Sequence, residues 1–343
     1  MNELKYKPER RSKGILNKRR IPNIWPDNKE FRILTIDGGG IKGIFPACFL
    51  EKIESSYLKE NNITDYFDLI CGTSTGGIIA LGLGAGIKAS ELSKLYIEKG
   101  NDIFPCKYRW FKKLQQYVYV PYNRNKLKMI LQKVFRDRKL KESKVRLCIP
   151  SFEGMYSEVY VFKTPHHLDF KKDGEELMTK VALSTSAAPT FLKSFKDSGY
   201  TFVDGGVWAN NPCMIGLVEA LSSFNVQREN IKILSIGCGE TPYMVKNKMI
   251  AGGLWHWRKI IRGATHLQSQ NAIGQAGLLI GRDNICRIDI PENMMPTKGI
   301  DLDDWQQSIT ILPTAAEKVF SDFGNKIKEN FFIETTTPYK PFY

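Results

Sequence analysis

The chain has 343 residues, 42% of them hydrophobic, and its 50 basic and 36 acidic residues give a formal net charge of +14. This length and composition predict one large domain with a sizeable core, and exclude an architecture of internal repeats or low-complexity linkers. The longest apolar stretches fall short of the ~20 residues that a membrane-spanning helix requires, and no signal peptide is visible at the N-terminus. We therefore expect a cytoplasmic protein.

The first β-prone run, residues 31–36, leads into a turn that contains four glycines. Gly38, Gly40 and Gly43 satisfy the Gly-x-Gly-x-x-Gly fingerprint of a dinucleotide-binding fold, which would make the protein a Rossmann-type, nicotinamide-dependent oxidoreductase. The same glycines can instead form an oxyanion hole, because bare backbone amides at the start of a helix attract a negatively charged oxygen. The next strand distinguishes these two interpretations.

That next strand is predicted over residues 66–71, and Gly72, Ser74 and Gly76 follow it in a Gly-x-Ser-x-Gly pattern. A dinucleotide site requires an acidic residue at the tip of this strand, and the tip carries the serine turn instead. In a nucleophile elbow, a sharp turn between strand and helix exposes the serine, and glycines tolerate the close contact of helix and strand. The order of elements therefore favours a nucleophilic Ser74 with an oxyanion hole in the upstream turn.

A third strand-to-turn unit lies further along the chain. The short β-prone run 200–203 ends at Asp204, which is followed by Gly205 and Gly206. An aspartate has an unperturbed pKa of about 3.9, so it can act as a general base only if burial and hydrogen bonds match its basicity to the serine. Asp204 is the candidate base for Ser74.

Together these motifs resemble the patatin-like phospholipases, whose signatures are a glycine-rich anion loop, a Gly-x-Ser-x-Gly elbow and a late Asp-Gly-Gly or Asp-Gly-Ala. All three occur here in that order, and the run 184–191 is similar to the segment that precedes the aspartate in this family. The resemblance implies a catalytic dyad of Ser74 and Asp204. It assigns the oxyanion hole to Gly38, Gly39 and Gly40, and motif support to Lys42, Gly43, Gly72, Gly76, Gly205 and Gly206.

A histidine is the alternative third member of the catalytic site. The chain has four histidines, at positions 166, 167, 256 and 266. The triad of an α/β-hydrolase follows the order serine, aspartate, histidine, which leaves His256 and His266 as candidates. Neither lies in a glycine-bounded turn at a strand end. We therefore favour the dyad, and expect no metal and no cofactor in the reaction.

Strands and helices alternate along the rest of the chain. Further β-prone runs cover residues 145–150, 159–163 and 231–236, and helical stretches cover residues 47–60 and 89–99. Such alternation predicts an α/β fold with a mostly parallel sheet that is covered on both faces. By resemblance, this is the three-layer α/β/α patatin-like fold.

We divide the chain into a basic N-terminal arm (1–30), a catalytic core (31–217) and a C-terminal part (218–343) that completes the same domain. The C-terminal part contains a last strand, an amphipathic segment and an aromatic tail over residues 329–343 that lacks helical periodicity and is expected to dock on the domain or a neighbouring subunit. The seven cysteines are scattered without a Cys-x-x-Cys pair. This spacing predicts free buried thiols in a reducing compartment.

The positive charge is concentrated in two blocks. The first twenty residues hold eight lysines or arginines against two glutamates, and residues 107–144 hold thirteen basic against two acidic residues. Such blocks attract membrane headgroups, nucleic acid or a small phosphate-bearing ligand, and a solvated basic face is the plain alternative. No recognisable nucleic-acid-binding module accompanies them, so we expect no nucleic-acid partner. The segment 252–262 mixes tryptophans, isoleucines and cations, as in a membrane-interface helix, a dimer contact or a lid.

A phospholipase that was always active would degrade the membrane of its own cell, so control of its activity is expected. The basic arm and the opening Asp-Gly-Gly-Gly-Ile-Lys-Gly resemble bacterial patatin-like effectors of cyclic-oligonucleotide antiphage (CBASS) systems. This resemblance implies a membrane phospholipid substrate, a cyclic di- or trinucleotide activator, a homodimer or larger homo-oligomer, and peripheral association with the inner membrane in the active state. A non-catalytic nucleotide-binding regulator is the alternative, and it would need neither dyad residue.

Overall fold

The computed structural model describes residue 10 and residues 20–105, 122–239 and 260–343, with only the backbone described at 260–262. Several sequence predictions lie outside these ranges. They are most of the basic arm, the first part of the basic block 107–144, His256, Cys106 and nearly all of the segment 252–262.

The described strands form one eight-stranded sheet. They are β1 (Phe31–Ile36), β2 (Leu69–Gly72), β3 (Arg146–Glu153), β4 (Glu158–Lys163), β5 (Phe195–Asp197), β6 (Tyr200–Asp204), β7 (Ile231–Ile236) and β8 (Ile285–Ile288). The order is β5-β6-β3-β2-β1-β7-β8, and β4 pairs with β3. Strands β3, β2, β1, β7 and β8 are parallel, whereas β4, β5 and β6 pair in antiparallel fashion. The predicted α/β fold is confirmed, and its parallel sheet carries an antiparallel flank.

Strand β3 has different neighbours along its length. Cys148 of β3 pairs in parallel with Cys71 of β2, and Ser151 of β3 pairs in antiparallel fashion with Asp204 of β6. Strand β4 pairs with residues 148–153 of β3 and therefore lies along the other edge of β3, opposite β2 and β6. Strands β2 and β6 consequently approach each other end to end along one edge of β3, and their carboxyl ends meet beside Pro150.

Helices cover both faces of the sheet. They are α1 (Ile44–Tyr57), α2 (Thr75–Gly84), α3 (Ala89–Ile103), α4 (Arg124–Phe135), α5 (Met178–Thr185), α6 (Gly206–Ala209), α7 (Cys213–Ser223), α8 (Ile260–Ile280) and α9 (Trp305–Phe331). Leu34 and Ile36 of β1 pack in the core that contains α1, α2 and α9, while Phe31 and Ile33 pack with α7 and α8. Successive strand side chains point to opposite faces, and this alternation produces the predicted three layers.

The C-terminal part differs from the prediction in three respects. It contributes two strands to the sheet, because β8 joins the expected β7. The helix α9 was not predicted, and it continues to Phe331, so the prediction that helical structure is absent from residue 329 onward is wrong. Ile327 and Phe331 are buried four residues apart, and this spacing keeps the last turn helical against the core.

Beyond Phe331 the aromatic tail docks on its own domain, as expected. The amide of Thr336 donates a hydrogen bond to the carbonyl of Asp65 (2.7 Å), and the amide of Phe342 donates one to the carbonyl of Pro165 (2.8 Å). None of the helices in the described ranges combines the length and the hydropathy that crossing a bilayer demands.

Candidate active site

Ser74 lies in the turn between β2 and α2, directly before the first helical residue. Its backbone angles, φ 53° and ψ −117°, fall in a region that residues other than glycine rarely occupy. Such strain persists only where neighbouring groups hold it. Here the Ser74 amide donates to Thr185 Oγ1 (3.0 Å), and that hydroxyl donates to the carbonyl of Pro150 (2.6 Å). The Gly-x-Ser-x-Gly motif therefore folds as a strained strand-to-helix turn.

Asp204 reaches the same point from the end of β6. Ser74 Oγ donates a hydrogen bond of 2.6 Å to Asp204 Oδ2, and the amide of Gly206 donates one of 2.7 Å to Asp204 Oδ1. Ser74 is 8% exposed and Asp204 is 5% exposed. The two side chains are 130 positions apart in the sequence, and they meet because β2 and β6 end beside each other along β3.

Burial changes the proton affinity of the aspartate. Loss of hydration raises the pKa of Asp204 from 3.8 to about 6, and the hydrogen bonds from Ser74 and Gly206 oppose part of that rise. A carboxyl group with this pKa is ionised at neutral pH and is more basic than an ordinary aspartate. It can therefore accept a proton from the hydroxyl group that is already hydrogen-bonded to it.

The glycine turn lies against Ser74. A Cβ atom added at Gly38 would be 3.4 Å from Ser74 Cβ and 2.6 Å from Asn210 Oδ1, so the approach of the backbone requires glycine. The Gly38 amide donates a 3.0 Å hydrogen bond to the carbonyl of Asn210. In this conformation the Gly38 amide is occupied, so Gly39 and Gly40 are the predicted oxyanion donors whose amides remain available. Gly38 contributes by letting the backbone of the turn lie close to Ser74 and Asn210.

Gly39 and Gly40 are the remaining candidate donors. In the part of the chain that the structure describes, neither amide donates a hydrogen bond, although Gly39 is buried. Buried amides are nearly always paired, so an amide without a partner among the described residues, in a turn that lies against Ser74, is an unusual feature. The amide of the following residue, Ile41, is occupied by the carbonyl of Leu302 (2.9 Å). Unpaired amides at the start of the short 3₁₀ helix Gly40–Gly43 suit an oxyanion hole.

Backbone contacts explain the supporting glycines of the motifs. A Cβ atom at Gly76 would be 2.2 Å from the carbonyl oxygen of Ile36, and one at Gly205 would be 2.3 Å from that of Pro150. A Cβ atom at Gly72 would likewise be 2.1 Å from the carbonyl oxygen of Gly76, whereas one at Gly43 would be 2.2 Å from the side-chain oxygen of Thr75. These glycines let strand ends and helix starts pack more closely than any side chain would permit.

An ion-pair network that the sequence did not reveal fixes both ends of the glycine turn. At one end, the fully buried Asp37 pairs with Arg287 (2.6 Å), which also contacts Asp289 (2.8 Å). At the other end, Lys42 donates to the carbonyl of Gly239, whose amide donates to Asp289 Oδ1 (2.7 Å). The carboxyl ends of β7 and β8 thus hold the turn in place. Asp37 and Arg287 are 250 positions apart, and no local pattern links them.

Thr185 and Asn210 were also missed as positioning residues. Thr185 lies in the run 184–191 that resembles the family, so a sequence signal was present, but its hydrogen bond to Ser74 depends on the fold. The described part of the basic block 107–144, residues 122–144, includes α4, and three of the six exposed residues of this helix are lysines.

The described histidines do not form a hydrogen bond with Asp204. Within the described residues, the Asp204 carboxylate is hydrogen-bonded to Ser74 and Gly206 and not to an imidazole. His166 is buried against Glu219, and loss of hydration lowers the pKa of His166 to about 4. His266 lies on α8.

Cys148, His166 and Glu219 place potential metal-ligand atoms within 4.8 Å of one another. The charge of Glu219 is already balanced, because Lys163 forms an ion pair with it and Arg20 lies 3.5 Å away. This donor set needs no cation to compensate it. We interpret the group as a buried ion-pair network that connects the chain at Arg20 to α7.

A family model described as patatin-like phospholipase matches residues 34–217, more than half of the chain. The chain therefore belongs to the patatin-like phospholipase family, and the resemblance found in the sequence is confirmed. This membership makes the protein a phospholipase and excludes the nicotinamide-dependent oxidoreductase that the glycine fingerprint left open.

Two curated relatives are both called cGAMP-activated phospholipase. The protein from Escherichia coli (strain TW11681) is 32% identical over 341 residues, which cover 92% of this chain and 96% of the relative. The protein from Vibrio cholerae serotype O1 is 34% identical over 250 residues, which cover 66% of this chain and 70% of the relative. Among solved structures, human GIVD cytosolic phospholipase A2 matches 88% of this chain and 60% of its own, with 10% identity and a TM-score of 0.47.

Proposed function

We propose that the protein hydrolyses acyl esters of membrane phospholipids, with Ser74 as the nucleophile and Asp204 as the general base. The observation that carries this proposal is the 2.6 Å hydrogen bond between Ser74 Oγ and Asp204 Oδ2. Ser74 Oγ attacks the ester carbonyl carbon while its proton passes to Asp204. The carbonyl oxygen becomes an oxyanion, and the amides of Gly39 and Gly40 stabilise it where the charge develops.

Collapse of the tetrahedral intermediate breaks the bond between the carbonyl carbon and the alkoxide oxygen of the lipid. Asp204 returns its proton to this leaving oxygen, and the acyl group remains on Ser74. A water molecule then attacks the acyl-enzyme and gives a proton to Asp204, which passes it to Ser74 Oγ as the fatty acid leaves. A pKa of about 6 suits a group that must accept and release a proton in both halves of the cycle.

A fluorophosphonate probe and a soluble short-chain ester test the dyad together. Ser74→Ala and Asp204→Asn should each lower kcat/KM by about 10³-fold or more, and the double variant should be little worse, because the two residues act as one unit. Probe labelling should disappear in Ser74→Ala. The matched control is Ser186→Ala, a buried serine whose hydroxyl donates to the carbonyl of Ala182. Full activity in Asp204→Asn with loss in His256→Ala or His266→Ala would replace the dyad by a triad.

We further propose that a cyclic di- or trinucleotide switches the enzyme on, as part of antiviral defence. The two relatives that carry cGAMP activation in their names support this regulation. To move the active state from about 1% to about 99%, the nucleotide must prefer it by roughly 5.5 kcal/mol. The measurement is phospholipid hydrolysis by the purified protein across a panel of cyclic di- and trinucleotides. High basal activity that no nucleotide changes, without binding by calorimetry, would contradict this regulation.

Peripheral association of the active enzyme with anionic lipid is proposed from the two basic blocks. Each surface cation contributes roughly 1 kcal/mol near an anionic surface, and salt screens the attraction beyond about 10 Å. Binding to phosphatidylglycerol vesicles should therefore weaken steeply with salt, and neutralising Lys107, Arg109, Lys112 and Lys113 should lower it without changing cleavage of a soluble ester. Neutralising four lysines outside the basic blocks, Lys318, Lys326 and Lys328 of α9 together with Lys340, is the control matched in charge. Equal binding at low and high salt would argue against this association.

A further inference from the structure

The outer face of α8 lacks the charges that the solvated face of a helix ordinarily carries. Residues 263–280 contain no aspartate, glutamate, lysine or arginine, although the whole chain carries a net charge of +14. The other long helix, α9, exposes Glu317, Lys318, Asp322 and Lys326 to solvent. A surface helix is normally polar on its exposed side, so an exposed face without charges indicates a surface that is covered in the working protein.

Five of the eight exposed residues between positions 263 and 280 follow a heptad spacing. A stripe with steps of three and four residues consists of Ala264, Leu267, Asn271, Gly274 and Leu278. Leu267 is 59% exposed and Leu278 is 83% exposed. This spacing is the one by which a helix pairs with another helix, and a polar Asn in the stripe sets the register of such pairs.

We propose that a second copy of this chain covers this stripe, with the two α8 helices antiparallel and crossing at Asn271. Ala264 and Leu278 lie seven residues on either side of Asn271, so they face each other between the copies. Leu267, four residues before Asn271, then lies near Gly274 of the other copy, which is three residues after it. Each large side chain meets a small one. A Cβ atom added at Gly274 would have nothing within 4 Å, and this open space can receive the leucine.

Charge favours the face of α8 over the other surfaces of the protein as the place where two copies meet. Two chains that each carry +14 repel one another wherever their basic surfaces meet. The face of α8 is a place where two such chains can approach without that repulsion. A two-fold axis also requires a surface that is complementary to itself, and the large–small order of the stripe meets this requirement.

The inner face of α8 connects this interface to the catalytic site. The side chain of Gln268 accepts a hydrogen bond from the amide of Asn211 (3.0 Å) and donates one to its carbonyl (3.2 Å), and Asn210 Nδ2 donates to Ser269 Oγ (3.3 Å). The carbonyl of Asn210 holds the amide of Gly38 (3.0 Å). Pairing of two α8 helices therefore restrains the glycine turn beside the nucleophile, and this link to activity rests on the proposed function.

The test is sedimentation of the full-length protein over a range of concentrations, with and without cGAMP. Leu278→Lys should raise the dissociation constant of the assembly by about tenfold or more, because it buries an unpaired charge. Phe323→Lys on α9 is the matched control, since Phe323 is an apolar residue that is 47% exposed, and it should leave assembly unchanged. Combining Ala264→Glu with Leu278→Lys should restore assembly, because the introduced carboxylate of one copy then faces the introduced ammonium of the other.

Recovery in the double variant is a result that misfolding of Leu278→Lys cannot produce. Hydrolysis with cGAMP should fall in Leu278→Lys and recover with assembly. A wild-type protein that stays monomeric under both conditions overturns the proposal, and so does a double variant that fails to recover. Loss of vesicle binding in Leu278→Lys with unchanged assembly would assign the stripe to the membrane instead. Assembly that behaves as expected in a protein without hydrolytic activity would uphold the interface and refute the proposed function.

Discussion

The two residues of the proposed dyad are held in place by different physical means. Ser74 lies on the parallel side of the sheet, where a strained backbone and close contacts between main-chain atoms fix the turn. Asp204 lies on the antiparallel flank, where hydrogen bonds from Ser74 and Gly206 orient a carboxylate with little hydration. Substitutions of the glycines in the serine turn should therefore damage folding, whereas changes to the Asp204 carboxylate or at Gly206 should change proton chemistry and leave the fold intact.

The largest effect is expected for Gly76→Ala on the serine side. The added methyl group would lie 2.2 Å from the carbonyl oxygen of Ile36, so β1 and α2 must separate. We expect a loss of about 3 kcal/mol or more in the free energy of unfolding, measured by urea denaturation. Gly206→Ala is the matched control on the aspartate side, because the atoms nearest to its methyl group belong to side chains, Asp204 Oδ1 at 3.0 Å and Asn210 Oδ1 at 3.3 Å. It should keep the fold, and an equal loss in both variants would refute the comparison.

The second effect is a gain of stability in Asp204→Asn. Burial raises the pKa of Asp204 from 3.8 to about 6, so the folded state binds the proton more tightly than the unfolded state does. Wild-type stability contributed by this group is therefore present at low pH and is lost as pH rises through about 6. Each pKa unit corresponds to about 1.4 kcal/mol, so the variant should exceed the wild type by up to about 3 kcal/mol at pH 8 and by little near pH 4.

Asp68 has a pKa that burial also raises to about 6, but it is present in both proteins and cancels in the difference. The measurement is urea unfolding of both proteins at several pH values. A variant that is less stable than the wild type at pH 8 would show that the ionised carboxylate stabilises the fold.

The third effect is on the pH dependence of catalysis. The base must be ionised to accept the proton of Ser74, so kcat/KM for a soluble ester should rise with pH and level off above about 6. Below this value the rate should fall about tenfold for each pH unit, as expected for loss of one essential ionised group. The control is stability over the same range, to separate ionisation from unfolding. A rate that stays constant down to pH 4.5 would exclude Asp204 as the base.

The smallest effect is expected for Thr185→Val. This change removes the hydroxyl that connects the serine turn to Pro150 of β3. Ser74 then loses the acceptor for its buried amide, and Pro150 loses a donor. An unsatisfied buried amide costs about 1–3 kcal/mol, so both the stability and kcat should fall. Thr185→Ser keeps the hydroxyl and should restore both quantities in denaturation and steady-state assays. Failure of this rescue would mean that the methyl group of Thr185 matters and the hydrogen bonds do not.

The local sequence was enough to predict the class of fold and the motifs. Strand β1 and strand β7 have the predicted bounds, because both are short apolar runs that end in glycine turns. The long helix α9 was missed, since Pro313 and several polar residues interrupt its apolar pattern. Its stability comes from packing of α9 in the core with α1, which is a tertiary contact.

For the site, the sequence by itself determined which chemical groups the protein offers: a serine in a Gly-x-Ser-x-Gly turn, an aspartate at a strand end and a cluster of bare amides. The tertiary structure decided which of these groups meet. Ser74 and Asp204 come together because β2 and β6 end on the same edge of β3, and no local pattern encodes that pairing. Likewise, the choice between Gly38 and its neighbours as oxyanion donors depends on the carbonyl of Asn210, which lies far along the chain and reaches Gly38 only in the folded protein.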